Sequence, residues 1–248
     1  MRPAIARSNG LGRRSSTTGA YRSLAVDTKT VADVLAEVPV FAALSEVDRR
    51  EVASHMRPRR FSRDEVVFHR DDPAAHMYVI VAGTVKVAIP DESGHEVVIA
   101  IERGGGIFGQ LALFDDAPRS ATVTAINETQ VLALSRDDFI RVIERNAKAM
   151  REMLSLLARM IRRASGRIED LVFLDVSGRV AKCLLDIAAA QGKSEIELTQ
   201  DDVASFVGAT RVSVNRALAD LESIGAIGVG RRHIEVKDAD RLRTQIRY

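Results

Sequence analysis

The most constraining feature of this sequence is an apolar repeat between residues 147 and 171. Its eight members are spaced 3-4-3-4-3-4-3 along the chain, and they are Ala147, Met150, Leu154, Leu157, Ile161, Ala164, Ile168 and Leu171. This spacing places all of them on one narrow stripe of an α-helix, the a and d positions of a heptad repeat. A helix that only covers the core of its own domain usually carries a broader apolar face. The repeat therefore predicts a long helix that pairs with its own copy, and hence a homodimer.

The residues before the stripe indicate where the helical region begins. Ser135 has the side chain of a helix N-cap, and helical patterning follows from residue 136 to about residue 174. Asn146 interrupts this patterning just before the stripe starts. We therefore predict a first helix that ends near residue 146 and a second, longer one behind it.

The part of the chain before the stripe changes from helical to β-type patterning. Residues 27–56 carry apolar side chains at mostly helical spacing, interrupted by Pro39, which predicts short helices docked on a core. Short β-forming runs follow at 65–69, 77–81, 84–88, 96–101, 121–126 and 130–135, separated by turns rich in glycine, proline and aspartate. Many short strands at regular spacing predict a compact antiparallel barrel or jelly roll. The triple glycine at 104–106 lacks the following Lys-Ser/Thr of a P-loop, so we assign it to a corner.

Residues 199–221 carry the pattern of two short helices joined by a tight turn. Thr199 and Asp202 resemble a capping pair, Gly208 permits a sharp reversal, and Thr210 is placed to cap a second helix. A buried stripe of Val214, Leu218 and Leu221 would leave the opposite face exposed, with Arg211, Val212, Asn215 and Arg216 on it. Since residues 203–219 contain no acid, this face is locally positive. The pattern predicts a DNA-binding helix-turn-helix.

Two short β-forming runs follow the helix-turn-helix. Residues 227–230 and 233–236 predict a two-stranded wing, with Arg231 and Arg232 at its tip. Such a basic tip suits contacts to DNA phosphates. An arginine-capped helical hairpin is the structural alternative for this region.

Composition limits the other classes of function. The formal net charge is only +2, so positive charge for binding DNA must be local. A single cysteine, Cys183, lies in an apolar run; it permits no intramolecular disulfide and no cysteine metal cage, and we predict a buried thiol. The five histidines are scattered without metal-ligand spacing, and no nucleophile–base constellation is recognisable. We predict no enzyme activity and no metal site.

The sequence also bears on location. No stretch reaches the roughly 18 consecutive apolar residues that a membrane span requires. The basic N-terminus contains the pair Arg13 and Arg14, but serine and threonine follow where an export signal needs an apolar core. We expect residues 1–26 to form a disordered basic tail and the protein to be cytoplasmic, with no membrane partner.

An arginine in an apolar setting marks a candidate ligand site. Arg119 is flanked by apolar strand residues, and burying it without an anionic partner is costly. Gly109, a short helical turn and a fixed guanidinium together suit a phosphate group. Ion pairing of Arg119 with Asp115 or Asp116 is an equally good interpretation of the residues alone, and both remain open here.

Residues 108–112, Phe-Gly-Gln-Leu-Ala, and Pro118-Arg119-Ser120 resemble the phosphate-binding cassette of cyclic-nucleotide-binding domains. Residues 173–179 and 210–216 resemble the corresponding segments of the Crp/Fnr family, and the motifs follow in family order over about residues 31–246. The resemblance implies an α+β fold with an N-terminal antiparallel jelly-roll sensor, a long dimerisation helix and a C-terminal winged helix-turn-helix. It also implies cyclic AMP as effector, a pseudo-palindromic site on double-stranded DNA, and contact with RNA polymerase. The domain boundaries predicted in this way are 1–26 for the tail, 27–145 for the sensor, 146–174 for the dimerisation helix and 175–248 for the DNA-binding domain.

Carried over by position, the resemblance assigns the ligand contacts. The effector-binding residues would be Gly109, Gln110, Leu111, Ala112, Arg119, Ser120 and, from the second subunit, Ser165. Two positions depart from the family pattern: Gln110 replaces the glutamate that accepts from the ribose 2′-hydroxyl, and Ala164 replaces a hydrogen-bonding residue beside Ser165. A neutral amide forms a weaker bond than a carboxylate. The alternative is therefore the same DNA-binding regulator with a degenerate pocket that answers to another effector or to none.

The resemblance assigns the DNA contacts in the same way. They would be Thr210, Arg211, Val212, Ser213, Asn215, Arg216, Arg231 and Arg232. Arginine suits guanine O6 and N7 bidentately. Val212 stands where the family commonly has a glutamate, and valine cannot accept from cytosine N4. We therefore expect a variant half-site with altered preference at that base pair.

Overall fold

The structure is a computed structural model that describes residues 28–91, 95–230 and 232–247. The predicted tail, residues 1–26, lies outside the described residues. Three short helices open the fold: α1 (Thr28–Ala36), α2 (Pro39–Ala42) and α3 (Glu46–His55). Pro39 begins α2, a position where its missing N–H costs nothing, and Ser45 caps α3 by accepting from the backbone N–H of Asp48. The short helices interrupted at Pro39 are as the sequence predicts.

In the described part of the N-terminal domain, eight strands form two antiparallel sheets. The strands are β1 (Arg57–Phe61), β2 (Val66–Phe68), β3 (His76–Ala82), β4 (Thr84–Pro90), β5 (Glu96–Arg103), β6 (Ile107–Phe108), β7 (Thr122–Ala125) and β8 (Thr129–Ser135). One sheet has the order β1-β8-β3-β6 and the other β2-β7-β4-β5. The jelly-roll prediction is confirmed. Two of these strands, β1 and β6, were not predicted.

The two faces of β3 are buried in different cores. Tyr78 and Ile80 point between the sheets, where Phe108 and Val123 join them. The alternate residues pack against the helices in a second core, whose largest buried side chains are Leu35, Phe41, Met77, Leu113, Leu132, Leu134, Phe139 and Met153. Because both faces are covered, this strand is a continuous apolar run rather than an alternating one.

The predicted long helical region is interrupted where expected. Helix α4 (Arg136–Arg145) begins after the N-cap Ser135, and Asn146 ends it. Asn146 also caps α5 (Ala147–Phe173), because its side chain accepts from the backbone N–H groups of Lys148 and Ala149. The first turns of α5 pack on the core of the β-domain through Ala149 and Met153.

The apolar stripe of α5 is therefore used in two ways. Met150 and Leu157 are partly buried against the chain's own core. Leu154 is 59% exposed, and beyond Leu157 the apolar members stay open: Ile161 is 67%, Ile168 62% and Leu171 54% exposed. The N-terminal half of the helix thus partly covers its own domain, and the C-terminal half presents an uncovered apolar edge.

The C-terminal domain contains α6 (Val176–Gln191), β9 (Glu195–Ile196), α7 (Gln200–Val207), α8 (Arg211–Ser223), β10 (Ile227–Val229), β11 (Ile234–Val236) and α9 (Ala239–Gln245). Its strands pair in the order β10-β11-β9. The predicted two-stranded wing is thus a three-stranded sheet, because Ile196 and Glu195 pair with Ile234 and Glu235. Helix α7 packs against β5, so the two domains touch within one chain. Among the residues described, no helix is long and apolar enough to cross a membrane.

Candidate functional site

Arg119 lies inside the β-domain and is only 4% exposed. Its Nη1 donates to the carbonyl oxygen of Gly109 at 2.6 Å, and its Nη2 donates to that of His76 at 2.6 Å. The guanidinium carbon lies 4.1 Å from the ring centroid of Phe68. The remaining donor, Nε, is buried and has no partner among the described residues. Two backbone carbonyls and an aromatic face therefore hold the cation in place and leave its Nε–H without a partner in the described chain.

The carboxylates near Arg119 in sequence are engaged elsewhere. Asp116 forms an ion pair with Arg136, and Asp115 accepts from the backbone N–H of Ala117 at 3.2 Å. Burial lowers the pKa of the Arg119 guanidinium, and Tyr78 and Asp72 partly offset this shift. The structure therefore does not support the interpretation of Arg119 as the partner of Asp115 or Asp116. A buried arginine without a carboxylate suits an anionic ligand.

The position of Arg119 requires a glycine at residue 109. Gly109 has φ +77°, and a Cβ built on it would lie 2.8 Å from Nη1 of Arg119. A side chain at residue 109 would thus strain the backbone and displace the guanidinium. In this structure the backbone at Gly109 approaches the guanidinium of Arg119 closely.

Gln110 is the second buried polar side chain of the site and is 4% exposed. Its Nε2 donates to Sδ of Met160 on α5 at 3.7 Å. Its Oε1 is buried without a partner among the described residues. A ligand with both an anion and a hydroxyl donor would satisfy the acceptor of Gln110 and the donor of Arg119, which both lack partners among the described residues.

The other predicted ligand contacts differ in how far they are exposed. Ala112 is buried in the short 3₁₀ turn Leu111–Leu113, and Leu111 is 40% exposed. Ser120 is exposed beside Arg119. Ser165 and its neighbour Ala164 are exposed on α5, beyond Met160. Sequence reasoning missed Met160 and the carbonyl of His76, because contacts between distant segments leave no local pattern.

The helix-turn-helix has the predicted local structure. Thr199 and Asp202 form a reciprocal capping box at the start of α7, and Gly208 ends that helix with φ +63°. Thr210 caps α8 by accepting from the backbone N–H of Ser213 at 3.2 Å. Helix α8 buries the predicted stripe of Val214, Leu218 and Leu221, together with Ala217. Both helices therefore begin at fixed, side-chain-capped positions.

The predicted DNA-reading residues do not all face outward. Arg211 and Arg216 are exposed, and Val212 is 79% exposed. Asn215 departs from the prediction because it is half-buried, and its Oδ1 is buried without a partner in the part of the chain that the structure describes. The hydroxyl of Ser213 lies 3.0 Å from that of Thr210 and takes part in the cap.

The charged surroundings of this face include one residue that sequence reasoning missed. Nη1 of Arg211 lies 3.2 Å from Oδ2 of Asp201, which comes from the first turn of α7. Asp201 lies just before the acid-free stretch 203–219, so the stretch alone does not reveal it. At the wing, the backbone N–H of Gly230 donates to the carbonyl of His233 at 2.9 Å and Arg232 is exposed. The predicted contact Arg231 lies outside the described residues.

The chain was compared with known protein families and with known proteins. Residues 58–146 match the cyclic nucleotide-binding domain family, and residues 178–245 match the Crp-like helix-turn-helix domain family. A CRP-like cAMP-activated global transcriptional regulator of Mycobacterium tuberculosis is 32% identical over 222 residues, which cover 87% of this chain and 99% of the relative. The chain belongs to the Crp/Fnr family. Members of this family are transcription regulators and not enzymes.

Other members of the Crp/Fnr family agree with this assignment. The cAMP-activated global transcriptional regulator CRP of Salmonella typhimurium is 30% identical over 190 residues, covering 74% of this chain and 90% of the relative. Among solved structures, a transcriptional regulator of the Crp/Fnr family from Eubacterium rectale superposes with a TM-score of 0.73. Its identity is 16%, with coverage of 86% of this chain and 99% of that one, so it supports the fold alone.

Within the described residues, the remaining groups that could bind a metal or react chemically include the His, Asp and Glu side chains and the single cysteine. In the described ranges, no group of three or more His, Cys, Asp or Glu side chains is arranged to hold a metal ion. Cys183 is half-buried and packs against the core of the C-terminal domain. Burial raises the pKa of the Cys183 thiol to about 12. Asp186 also raises this pKa, and Arg167 lowers it. The thiol is therefore a packing element.

Proposed function

We propose that this protein is a homodimeric transcription regulator that reads a pseudo-palindromic DNA site and is modulated by cyclic AMP bound between the jelly roll and α5. The observation that carries the effector part is the buried guanidinium of Arg119, which among the described residues has no carboxylate partner and an unused Nε. Desolvating a cation is costly unless an anion compensates it. A cyclic phosphate supplies that anion.

The polar groups around Arg119 define the proposed roles. Arg119 and Ser120 bind the phosphate, and the backbone between Gly109 and Ala112 shapes the pocket around it. Oε1 of Gln110 accepts from the ribose 2′-hydroxyl. Ser165 of the second subunit contributes to binding of the base. The mycobacterial relative is named as cAMP-activated, which supports cyclic AMP as the first ligand to test.

Pairing of two copies along α5 completes this proposal. Ile161, Ile168 and Leu171 are more than half exposed in one chain, and they continue the a and d spacing of the stripe. Burying such residues against a second copy removes apolar surface from water. The pairing also presents two α8 helices, set for half-sites about one helical turn (~34 Å) apart.

The exposed side of α8 supports the proposed DNA contacts. Arg211 and Arg216 are exposed, and in this proposal they contact base edges or phosphates, while the exposed Arg232 of the wing contacts the DNA backbone. Val212 offers methyl groups to a thymine and no acceptor to a cytosine. We include contact with RNA polymerase in the proposal, since the family resemblance implies it.

The contact between Gln110 and Met160 supports a route from ligand to DNA. Met160 belongs to α5, the helix that carries the apolar stripe and leads into α6. A ligand that takes the amide of Gln110 competes with this contact. Its binding then biases the arrangement of α5, by as much as its affinities for the two arrangements differ.

Calorimetric titration with cyclic AMP and cyclic GMP tests the effector part. The wild type should release or absorb heat with a saturable isotherm, and Arg119→Met should abolish it. Arg60→Met, an exposed position on β1, is the control and should bind as the wild type does. Wild-type protein that binds neither nucleotide would overturn the effector part.

A second candidate keeps the DNA binding and makes the pocket degenerate. It is favoured by Gln110, whose amide forms a weaker bond to a ribose hydroxyl than a carboxylate does. Capture of genomic fragments with and without cyclic AMP distinguishes the two candidates. If the same sites are recovered equally in both conditions and the titration gives no heat, the degenerate pocket is favoured. If no preferred DNA site is recovered, the DNA-binding part of the proposal is contradicted.

A further inference from the structure

The exposed ion pair between Asp201 and Arg211 joins the two helices of the helix-turn-helix. Oδ2 of Asp201 lies 3.2 Å from Nη1 of Arg211, and the two side chains are 63% and 62% exposed. Among the described residues, this is the one carboxylate that forms an ion pair with Arg211. The pair therefore occupies part of the guanidinium at the surface proposed to face DNA.

The backbone fixes both partners before the pair forms. Asp201 is the second residue of α7, whose start is set by the capping box of Thr199 and Asp202. Arg211 is the first residue of α8, directly after the cap Thr210. The two side chains thus extend from the N-terminal ends of two packed helices. Because the backbone is already fixed, only the side-chain torsion angles must become ordered when the ion pair forms.

We propose that Asp201 is a positioning residue that orients the guanidinium of Arg211 and so sets the specificity of base reading. This inference rests on the proposed function, in which Arg211 contacts a base. A guanidinium has five N–H donors in one plane. A carboxylate on one edge fixes that plane and leaves the other edge for O6 and N7 of a guanine.

The negative charge of Asp201 also favours specific over non-specific DNA binding. Phosphate oxygens approach helix N-terminal ends, where free backbone N–H groups lie. A carboxylate at this point repels phosphates and competes with them for Arg211. The adjacent Val212 offers no acceptor, so Asp201 alone provides this effect on Arg211 within the described part of the chain. Non-specific binding is weakened while the correctly placed base contact keeps its donors.

The test is a double-mutant cycle read at base resolution. The half-site is first obtained by binding-site selection with the full-length wild type. Affinities for every single-base variant of that site are then measured for wild type, Asp201→Asn, Arg211→Ala and the double variant. Asp220→Asn is the matched control, because Asp220 is an exposed acid of α8 that forms no ion pair with a described residue.

We expect Arg211→Ala to identify one base pair by loss of preference there. At that same base pair, Asp201→Asn should lose about threefold to tenfold of discrimination, since it removes one exposed charged contact to the arginine. Its affinity for random DNA should rise, and its salt dependence should steepen by about one phosphate contact. In the Arg211→Ala background, Asp201→Asn should change no base preference, and Asp220→Asn should leave all preferences as in wild type.

The possible failures are distinguishable. If Arg211→Ala loses no base preference, Arg211 reads no base and that part of the proposed function is wrong. If Arg211→Ala loses preference while Asp201→Asn keeps it, the inference about Asp201 alone is overturned. Loss spread evenly over all base pairs, or the same loss with and without Arg211, would mean that Asp201 only supports the fold of α7, which also overturns the inference.

Discussion

Gln110 and Met160 connect the β-domain to the long helix through one amide–thioether contact. The amide Nε2 donates to Sδ at 3.7 Å, while the Oε1 of the same amide is buried without a partner in the described chain. The thioether is a weak acceptor, so this contact is easily exchanged for a better one. The amide is thus oriented by α5, and the proposed function uses its unpartnered acceptor for a ligand hydroxyl.

Replacing Gln110 by glutamate should lower the stability of the ligand-free protein and raise its affinity for cyclic AMP. In the ligand-free protein the new carboxylate loses the bond to Met160 and is buried without a donor, so the free energy of unfolding should fall by about 1–3 kcal/mol. The affinity for cyclic AMP should rise about tenfold, because the ribose hydroxyl then donates to a charged acceptor. Urea denaturation and calorimetric titration measure the two effects. Gln130→Glu, on β8, is the control and should leave the affinity unchanged; weaker binding by Gln110→Glu would contradict the proposed role of Oε1.

The parts of this fold that were predictable are those encoded by neighbouring residues. The cap at Ser135, the capping box at Thr199 and the reversal at Gly208 each depend on side chains within one helical turn, so the sequence alone indicates them. The contact of Gln110 with Met160 joins residues fifty positions apart, and only the packed fold brings them together. Local caps and turns were therefore predictable from the sequence, whereas the contacts of the candidate site were not.

The strands that the sequence did not predict also depend on contacts between distant segments. Strand β1 contains three arginines and Pro58, which local propensity does not favour in a strand. It forms because β8 pairs with it in register from Arg57 to Phe61, and its edge position tolerates the proline. Strand β9 is only Glu195–Ile196 and exists through pairing with β11. Asn215 was assigned to the exposed face of α8 from helical spacing, but packing of α8 half-buries it.

Substitution of Gly109 should disable the pocket more than substitution of a comparable glycine. Gly109 has φ +77° and Gly105 has φ +80°, so alanine carries a similar backbone cost of about 1–3 kcal/mol at both positions. Only at Gly109 does the new Cβ meet the Arg119 guanidinium; at Gly105 it meets no atom within 4 Å. Gly109→Ala should therefore lose the rise in melting temperature on addition of cyclic AMP, while Gly105→Ala keeps it. Equal ligand responses in the two variants would show that the position of Arg119 does not depend on Gly109.

The thiol of Cys183 should react slowly in the folded protein. Burial raises its pKa from 9.0 to about 12, so the thiolate fraction at neutral pH falls on the order of a thousandfold. Iodoacetamide labelling at pH 8, followed by mass spectrometry, should be slow in buffer and fast in denaturing urea. The unfolded protein is the internal control, since it contains the same thiol. Rapid labelling in buffer would contradict the packed environment of this cysteine.

Charging the open half of the α5 stripe should separate the two subunits. Ile161 is 67% exposed in the single chain and lies at a heptad position, so the proposed pairing buries it against the same helix of a second copy. Ile161→Asp places two carboxylates in that interface and changes a side chain that is mostly exposed within its own subunit, so we expect the variant to sediment as a folded monomer. Val47→Asp is the control, because Val47 is 74% exposed on α3 and lies away from the stripe. Analytical ultracentrifugation at equal concentrations should give a dimer for wild type and control. An Ile161→Asp variant that remains dimeric would exclude this stripe as the interface. A monomeric wild type would exclude the dimer itself.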